Sequence, residues 1–487
     1  MTENPAFMQA FLLSLKDDDP LKADGLNLCG DEFLRAFLIS GNYGYSSKAI
    51  TAYEQAAGCL SVAGDPRLGM FLKDVGAGYQ ERYKRFGQLD DLQKAIAAWR
   101  KAVAITAEEH ANFPNLLGNL GASLSIRFEH TGDLNDIIEA IRNQERAIKL
   151  IPEEHAELST LLNTLGNAFS RRFERTGNLD DIVQAIQNQQ RAVHITPDEH
   201  TDLPSYLSNL GSSFLARFEN TGDLEDISEA IRNLQRAVQL TPDRDPNLPF
   251  CLSNLGTSFS RRFEHTGNLD DISEAIRLQQ RSAQLTRDDA ALPVLLTNLG
   301  HSLSCRFKRT GDPNDISEAI KNQRYVIQLT PVNHPKRPSR LNNLGNSFLQ
   351  QFKRSGHLED ISEAIKNIQL AVRLTPDSDG YADLPIWLNN LGNSFLYRFE
   401  HTGDMDNISE ATRHQQRAVQ LTPDGHADLP GRLNSLGNTF LRRFEHTGDL
   451  GDVSEAIQNQ QHAVQLTERH AQHADAQQSR KFIFPSF

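Results

Sequence analysis

An all-α solenoid of about ten two-helix repeats follows from three features of this 487-residue sequence. The first is a period. Gly76, Gly121, Gly166, Gly211, Gly256, Gly300, Gly345, Gly392 and Gly437 are separated by 45, 45, 45, 45, 44, 45, 47 and 45 residues. A near-constant spacing of this size is the signature of a stacked array. The second is the apolar pattern around each glycine. In residues 202–242, Leu207, Leu210, Phe214 and Phe218 share one stripe of a helix, and Ile227, Ala230, Ile231, Leu234, Ala237, Val238 and Leu240 share another. The third is punctuation. Pro204 suits a first helical turn, Thr221-Gly222 ends the first helix, Asp223 caps the second, and Thr241-Pro242 stops it.

Taken in order, residues 1–26 precede the period. An amphipathic helix is expected over 5–16, broken by Asp17-Asp18-Asp19-Pro20, as a cap for the end of the array. Residues 27–64 keep the register in degenerate form: Gly30 lies 46 residues before Gly76, and Gly41 follows Gly30 by 11 as Gly132 follows Gly121. Residues 65–467 hold nine clear repeats with no linker. Residues 468–487 open like another inter-repeat loop, turn polar, and are expected to act as a tail or a C-terminal cap, with Phe482, Ile483 and Phe484 tucked against its end. A single repeat cannot bury its own apolar stripes, so each depends on its neighbours. The small residues Gly211, Ala230 and Ala237 mark where helices approach closely.

A formal net charge of −13 argues against broad binding to nucleic-acid phosphates. Cys29, Cys59, Cys251 and Cys305 include no close pair, which suits a reducing compartment, the cytoplasm or the nucleus. The apolar run at 6–15 is too short and too interrupted to span a bilayer.

The pattern Leu207, Leu210-Gly211, Phe214, then Ala230, Ala237 and Pro242 resembles the tetratricopeptide repeat. The resemblance implies paired antiparallel helices wound as a right-handed superhelix, with the first helices lining a concave groove. Gly211 and Ala230 lie 19 residues apart, further than in the family at large, and individual repeats drift: Thr286-Arg287 replaces the closing Thr-Pro, and Pro313 replaces a leucine. The motifs N-L-G-x-S-F-x-x-R-F and T-G-D-L-x-D-I-x-E-A-I look most like long-period arrays of large fungal proteins, which often precede a caspase-like CHAT peptidase domain. No such domain is expected in the 20 residues after Thr467.

With about 100° of rotation per residue, positions −2, +1 and +5 from each glycine lie opposite the apolar stripe. Position −2 is Asn119, Asn209, Asn254, Asn298, Asn343 and Asn390; position +1 includes Asn167, Asn346, Asn393 and Asn438; position +5 includes Arg171, Arg261 and Arg442. Under the resemblance, these form a ladder of amides facing a ligand. An amide carries donor and acceptor and can pair with the main chain of an extended peptide. A second reading stays open for position −2, a hydrogen bond to the adjacent helix that fixes repeat spacing. Lysines are nearly absent from these positions, which argues against a clamp for a terminal carboxylate.

Other recurring residues read as structural. The arginines at +6, such as Arg172 and Arg217, flank the apolar stripe and suit ion pairs or ring stacking within the array. The D-L-x-D carboxylates lack a calcium-loop pattern and read as helix caps. His130, His265, His401 and His446 sit at helix C-termini, where a cation is favourable, and lack zinc spacing. No phosphate loop, nucleophile elbow or Cys/His pair in a recognisable context is present. The sequence thus predicts a non-enzymatic protein-interaction scaffold with no cofactor or metal. Its partner would be a protein or peptide, not a membrane or nucleic acid. The rivals are a regulatory or sensor subunit for a separately encoded protease or NTPase and, more weakly, an RNA-binding helical repeat.

Overall fold

The computed structural model describes residues 5–16, 19–63, 65, 67–286, 291–375 and 383–483. These residues form 21 α-helices and no strand. The chain divides into two compact units, Met1–Thr241 and Pro242–Phe487. The first contains the helix Pro5–Ser14 and five hairpins: Pro20–Ser40 with Tyr43–Ala63, Leu68–Phe86 with Leu89–Ile105, Phe113–Thr131 with Leu134–Leu150, Leu158–Thr176 with Leu179–Ile195, and Leu203–Thr221 with Leu224–Leu240. The second contains Leu248–Thr266 with Leu269–Leu285, Leu292–Thr310 with Pro313–Leu329, Arg337–Ser355 with Leu358–Leu374, Leu384–Thr402 with Met405–Gln420, and Leu429–Thr447 with Leu450–Ile483.

In seven of the ten hairpins the turn is built by a T-G-D/N triplet. Gly222 adopts φ 70°, and its N–H donates to the Phe218 carbonyl at 2.7 Å. Thr221 Oγ1 donates to the Arg217 carbonyl (2.9 Å) and accepts from the Asp223 N–H (3.3 Å). Asp223 Oδ1 then accepts from the Glu225 N–H at 3.0 Å, capping the second helix. Three consecutive residues therefore close one helix, reverse the chain and open the next. Pro313, which replaces the usual leucine, fits because it falls in the first helical turn after the Asp312 cap.

Both stripes read from the sequence face the core. Leu207, Leu210, Phe214, Phe218, Ile227, Ala230, Ile231, Leu234 and Ala237 are all buried, while Val238 and Leu240 are half-buried. The anchor glycines are required by the closeness of the second helix. A Cβ on Gly392 would stand 2.5 Å from Gln415 Cγ and 3.0 Å from the Ala411 carbonyl oxygen.

The D-L-x-D carboxylates divide between two jobs, which corrects the expectation that all of them cap. Asp223 caps, but Asp226 is buried and takes paired hydrogen bonds from Arg217, Nε at 2.8 Å and Nη2 at 2.5 Å. The same bidentate pair recurs as Arg127–Asp136, Arg172–Asp181, Arg262–Asp271 and Arg306–Asp315. Each joins the two helices of its hairpin. Several of these guanidinium groups also lie over the phenylalanine one turn earlier, as Arg217 does over Phe214 at 5.5 Å.

The ends differ from the sequence expectation in extent. The first helix stops at Ser14 rather than 16. Its Leu12 side chain lies so close to Gly25 that a Cβ there would be 2.7 Å from Cδ2. The next helix starts at Pro20 and passes through residues 26 and 27 unbroken. At the other end, Leu450–Ile483 is one continuous helix. No proline follows Thr467, unlike Thr241-Pro242, so nothing breaks the helix there. The side chains of Phe482 and Ile483 and the placement of Phe484 lie outside what is described.

Candidate functional site

The amide ladder is carried by the first helices of the hairpins. Among its −2 members, Asn209, Asn298 and Asn390 each donate to position −3 of the preceding hairpin: Asn209 to Asn163 Oδ1 (3.1 Å), Asn298 to Ser253 Oγ (3.1 Å) and Asn390 to Asn342 Oδ1 (3.0 Å). These bonds fix the register of neighbouring first helices. Asn119 and Asn254 are half-buried.

Position +1 looks inward across its own hairpin. Asn167, Asn393 and Asn438 accept through Oδ1 from Gln189 (2.9 Å), Gln415 (2.9 Å) and Gln460 (3.2 Å). These glutamines stand in the apolar stripe of the second helix, where the repeat at 202–242 has Leu234. The sequence signal was a polar residue recurring at an apolar position. At +5, Arg171 pairs with Glu129 of the preceding hairpin, and Arg442 pairs with Glu400 (3.2 Å) and Glu445 (2.9 Å). Arg261 donates to Glu264 at 2.8 Å.

Within the second unit the ladder converges on a recess of about 980 Å³ that gathers Asn343, Asn346, Asn390, Asn393, Asn438 and Arg442. Its floor is partly apolar, with Leu349, Leu396 and Leu441. Asn343 and Asn346 have no hydrogen-bond partner among the described residues; for Asn346 the reason is Ile368, which stands where six of the nine clear repeats place a glutamine. Gln323, which also lines the recess and is only 6% exposed, holds a buried Oε1 with no partner, as do Gln144, Gln189 and Gln279 of the same column. Asn298, Asn343 and Arg261 line a smaller neighbouring recess of about 200 Å³. Asn119, Asn167, Arg171 and Asn209 belong to the first unit and take no part in either.

The histidine column stacks on rings. His401 meets Phe352 edge-on at 5.5 Å, and His446 meets Phe399 at 4.7 Å. His130 Nε2 lies 2.5 Å from Tyr83 Oη.

One cluster was missed from the sequence. His301 and Cys305, one helical turn apart, meet Glu264 of the preceding hairpin. Glu264 Oε1 lies 2.9 Å from His301 Nε2 and 3.2 Å from Cys305 Sγ, and the sulfur is 3.5 Å from the same ring nitrogen. Burial, then the Glu264 carboxylate, push the Cys305 thiol up to about 12. Burial acts to raise Glu264 as well, but hydrogen bonds from His301 and Arg261 outweigh it and hold the carboxyl at about 2. The readable signal was His-x-x-x-Cys at ladder positions +1 and +5, where most other repeats carry amides, small residues or arginine.

The fold is that of a tetratricopeptide-like array of helical hairpins. No model of a known family matches the chain, and no curated protein matches it. Solved structures do. An IFIT1 monomeric mutant with m7Gppp-AAAA shares 12% identity over 90% of this chain and 80% of that chain, with a TM-score of 0.50. The human IFIT1 dimer with PPP-AAAA shares 13% identity over 95% of this chain and 94% of that one, with a TM-score of 0.49. A Podosopora anserina protein described as a kinesin light chain with nearly identical TPR-like repeats shares 14% identity, covering 45% of this chain and 96% of its own, with a TM-score of 0.34. At such identities the likeness concerns the fold alone. Among the described residues, no helix is long and apolar enough to cross a membrane.

Proposed function

We propose that the protein is a non-enzymatic interaction scaffold that binds an extended peptide in the recess of the second unit. The observation that carries this reading is the grouping of Asn343, Asn346 and the buried Gln323 carbonyl, polar groups with no partner of their own, above an apolar floor. A buried acceptor without a partner is costly. A peptide N–H supplies what Gln323 lacks, and the two asparagines read the next main-chain groups. Leu349, Leu396 and Leu441 take an apolar side chain of the same segment.

A polypeptide suits the recess better than a nucleic acid. Two of its cations are engaged: Lys353 lies 4.0 Å from the Tyr397 ring centre, and Arg442 is paired with two glutamates, which leaves Lys308 as the one lysine or arginine of the lining with neither kind of contact among the described residues. Phosphate binding needs cations that can replace counterions. The reducing interior of a cell, cytoplasm or nucleus, is the setting that four cysteines with no close pair in the sequence suit.

The test is selection of linear peptides from a random displayed library, followed by binding of the selected peptide to the wild-type chain and to Asn343→Ala/Asn346→Ala. Binding lost at an unchanged melting temperature supports the proposal. Binding unchanged in the double variant overturns it. So does tight, steeply salt-dependent binding of single-stranded RNA in place of any peptide.

A further inference from the structure

We infer that Glu264 Oε1, His301 Nε2 and Cys305 Sγ form a three-donor site for a divalent cation of the Zn²⁺ class, with a fourth position open to the solvent. The donor separations are 2.9, 3.2 and 3.5 Å. A tetrahedral zinc ion with its usual bonds to N, O and S needs edges of about 3.3–3.6 Å. Shifts of a few tenths of an ångström along flexible side chains bring the donors to that spacing. All the ligand atoms already lie within 4.8 Å of one another.

The repeat pattern itself marks this spot as a cation position. The acid at +8 of one hairpin faces position +5 of the next, and that position supplies a guanidinium where Glu129 meets Arg171 and where Glu400 meets Arg442. At Glu264 the facing residue is Cys305, with His301 one turn before it. A soft donor and an imidazole have replaced the fixed positive charge. Arg261 remains on the other carboxylate oxygen, Oε2, at 2.8 Å, leaving Oε1 turned toward the pair. Arg261 Nη1 also lies 3.4 Å from His301 Nε2, a contact that metal binding replaces.

The donor set defines the class of ion. A thiolate and an imidazole favour Zn²⁺ and its neighbours over Mg²⁺ or Ca²⁺, which take oxygen ligands. Binding displaces the Cys305 proton, so affinity rises with pH. The carboxylate and thiolate together carry the two negative charges that balance the ion. His301 is 47% exposed at its side chain, and it lines both recesses of the second unit. The open coordination position is therefore reached from solvent and stands beside the amide ladder.

The experiment uses the full chain, free of any histidine tag, with Co²⁺ as an optical probe and Zn²⁺ as competitor. The expected result is one equivalent of Co²⁺ bound with a thiolate-to-cobalt charge-transfer band and tetrahedral visible bands, both removed by one equivalent of Zn²⁺. Cys305→Ser abolishes the charge-transfer band. His301→Asn, which installs the residue that Asn346 and Asn393 provide at the same position, weakens binding by more than about 100-fold, beyond the loss typical of an outer-shell change. Both variants keep the wild-type circular dichroism. Absence of the band in the wild type, or a band unchanged in both variants, overturns the site. His301 and Cys305 also line the peptide recess, so the metal site is judged by the cobalt spectrum alone and the peptide reading by Asn343→Ala/Asn346→Ala, and either can fail without the other.

Discussion

Arg217 and Asp226 join the two helices of one hairpin through paired hydrogen bonds of 2.8 and 2.5 Å. The carboxylate side is 4% exposed and the guanidinium side 28%. Removing one member of such a pair strands the other charge. Asp226→Ala is expected to cost about 3 kcal/mol in urea unfolding, at the low end for a buried pair because the arginine keeps some water. Asp226→Asn should cost clearly less. Asn407 shows why: it stands at the matching position and still accepts from Arg398 at 2.7 Å. Equal losses for the two variants would show that the hydrogen bond is not what matters.

Two glycines in neighbouring first helices should respond to alanine in opposite directions. Gly392→Ala puts a Cβ 2.5 Å from Gln415 Cγ and 3.0 Å from the Ala411 carbonyl, and overpacking of this kind costs about 1–3 kcal/mol. A Cβ on Gly431 meets nothing within 4 Å, so Gly431→Ala is expected to stabilise by up to about 1 kcal/mol through helix propensity. Thermal unfolding of both variants decides it.

The chain should carry a pH sensitivity that resides in His414. Its imidazole is 8% exposed, stacks on Phe395 at 5.8 Å, and is held at about 4 by burial and by Arg413 and Arg417, against a weaker opposing pull from Glu410. An unfolded histidine titrates near 6.5. The neutral form is therefore favoured by the fold: stability is complete above pH 6.5 and is lost as pH falls toward 4. Between pH 7 and pH 5 the loss should be on the order of 2 kcal/mol. His414→Asn, which introduces the residue found at the matching positions Asn367 and Asn459, should remove that difference. A pH dependence identical in wild type and variant would assign it elsewhere.

Repeat period, helix pairing, both apolar stripes and the turn triplet were all legible in the sequence, because each rests on local chemistry repeated many times. Leu207 to Phe218 could be placed on one face without knowing any neighbour. The division of labour within D-L-x-D was not legible, since capping by Asp223 and pairing of Asp226 with Arg217 depend on how two helices cross. The ladder was legible only as a row of residues. Whether Asn390 holds the preceding first helix or faces a ligand depends on the distance to Asn342, which no spacing rule supplies. The trio of Glu264, His301 and Cys305 was hidden for the same reason: its members come from two hairpins, and only stacking brings them together.

The engagement of the ladder makes a graded prediction. Asn209→Ala removes the bond to Asn163 between first helices and should lower stability by about 1 kcal/mol. Asn343→Ala, which removes no hydrogen bond within the chain among the described residues, should leave stability within about 0.5 kcal/mol of wild type. Chemical denaturation of the two variants checks the contrast.

A crystal structure of the chain with a selected peptide tests the scaffold reading most directly, through the distances from the peptide main chain to three side chains. The reading predicts an extended segment in the second unit, with backbone groups within about 3.2 Å of Asn343, Asn346 and Gln323 Oε1. A peptide bound as a helix, or seated away from these three residues, would contradict it.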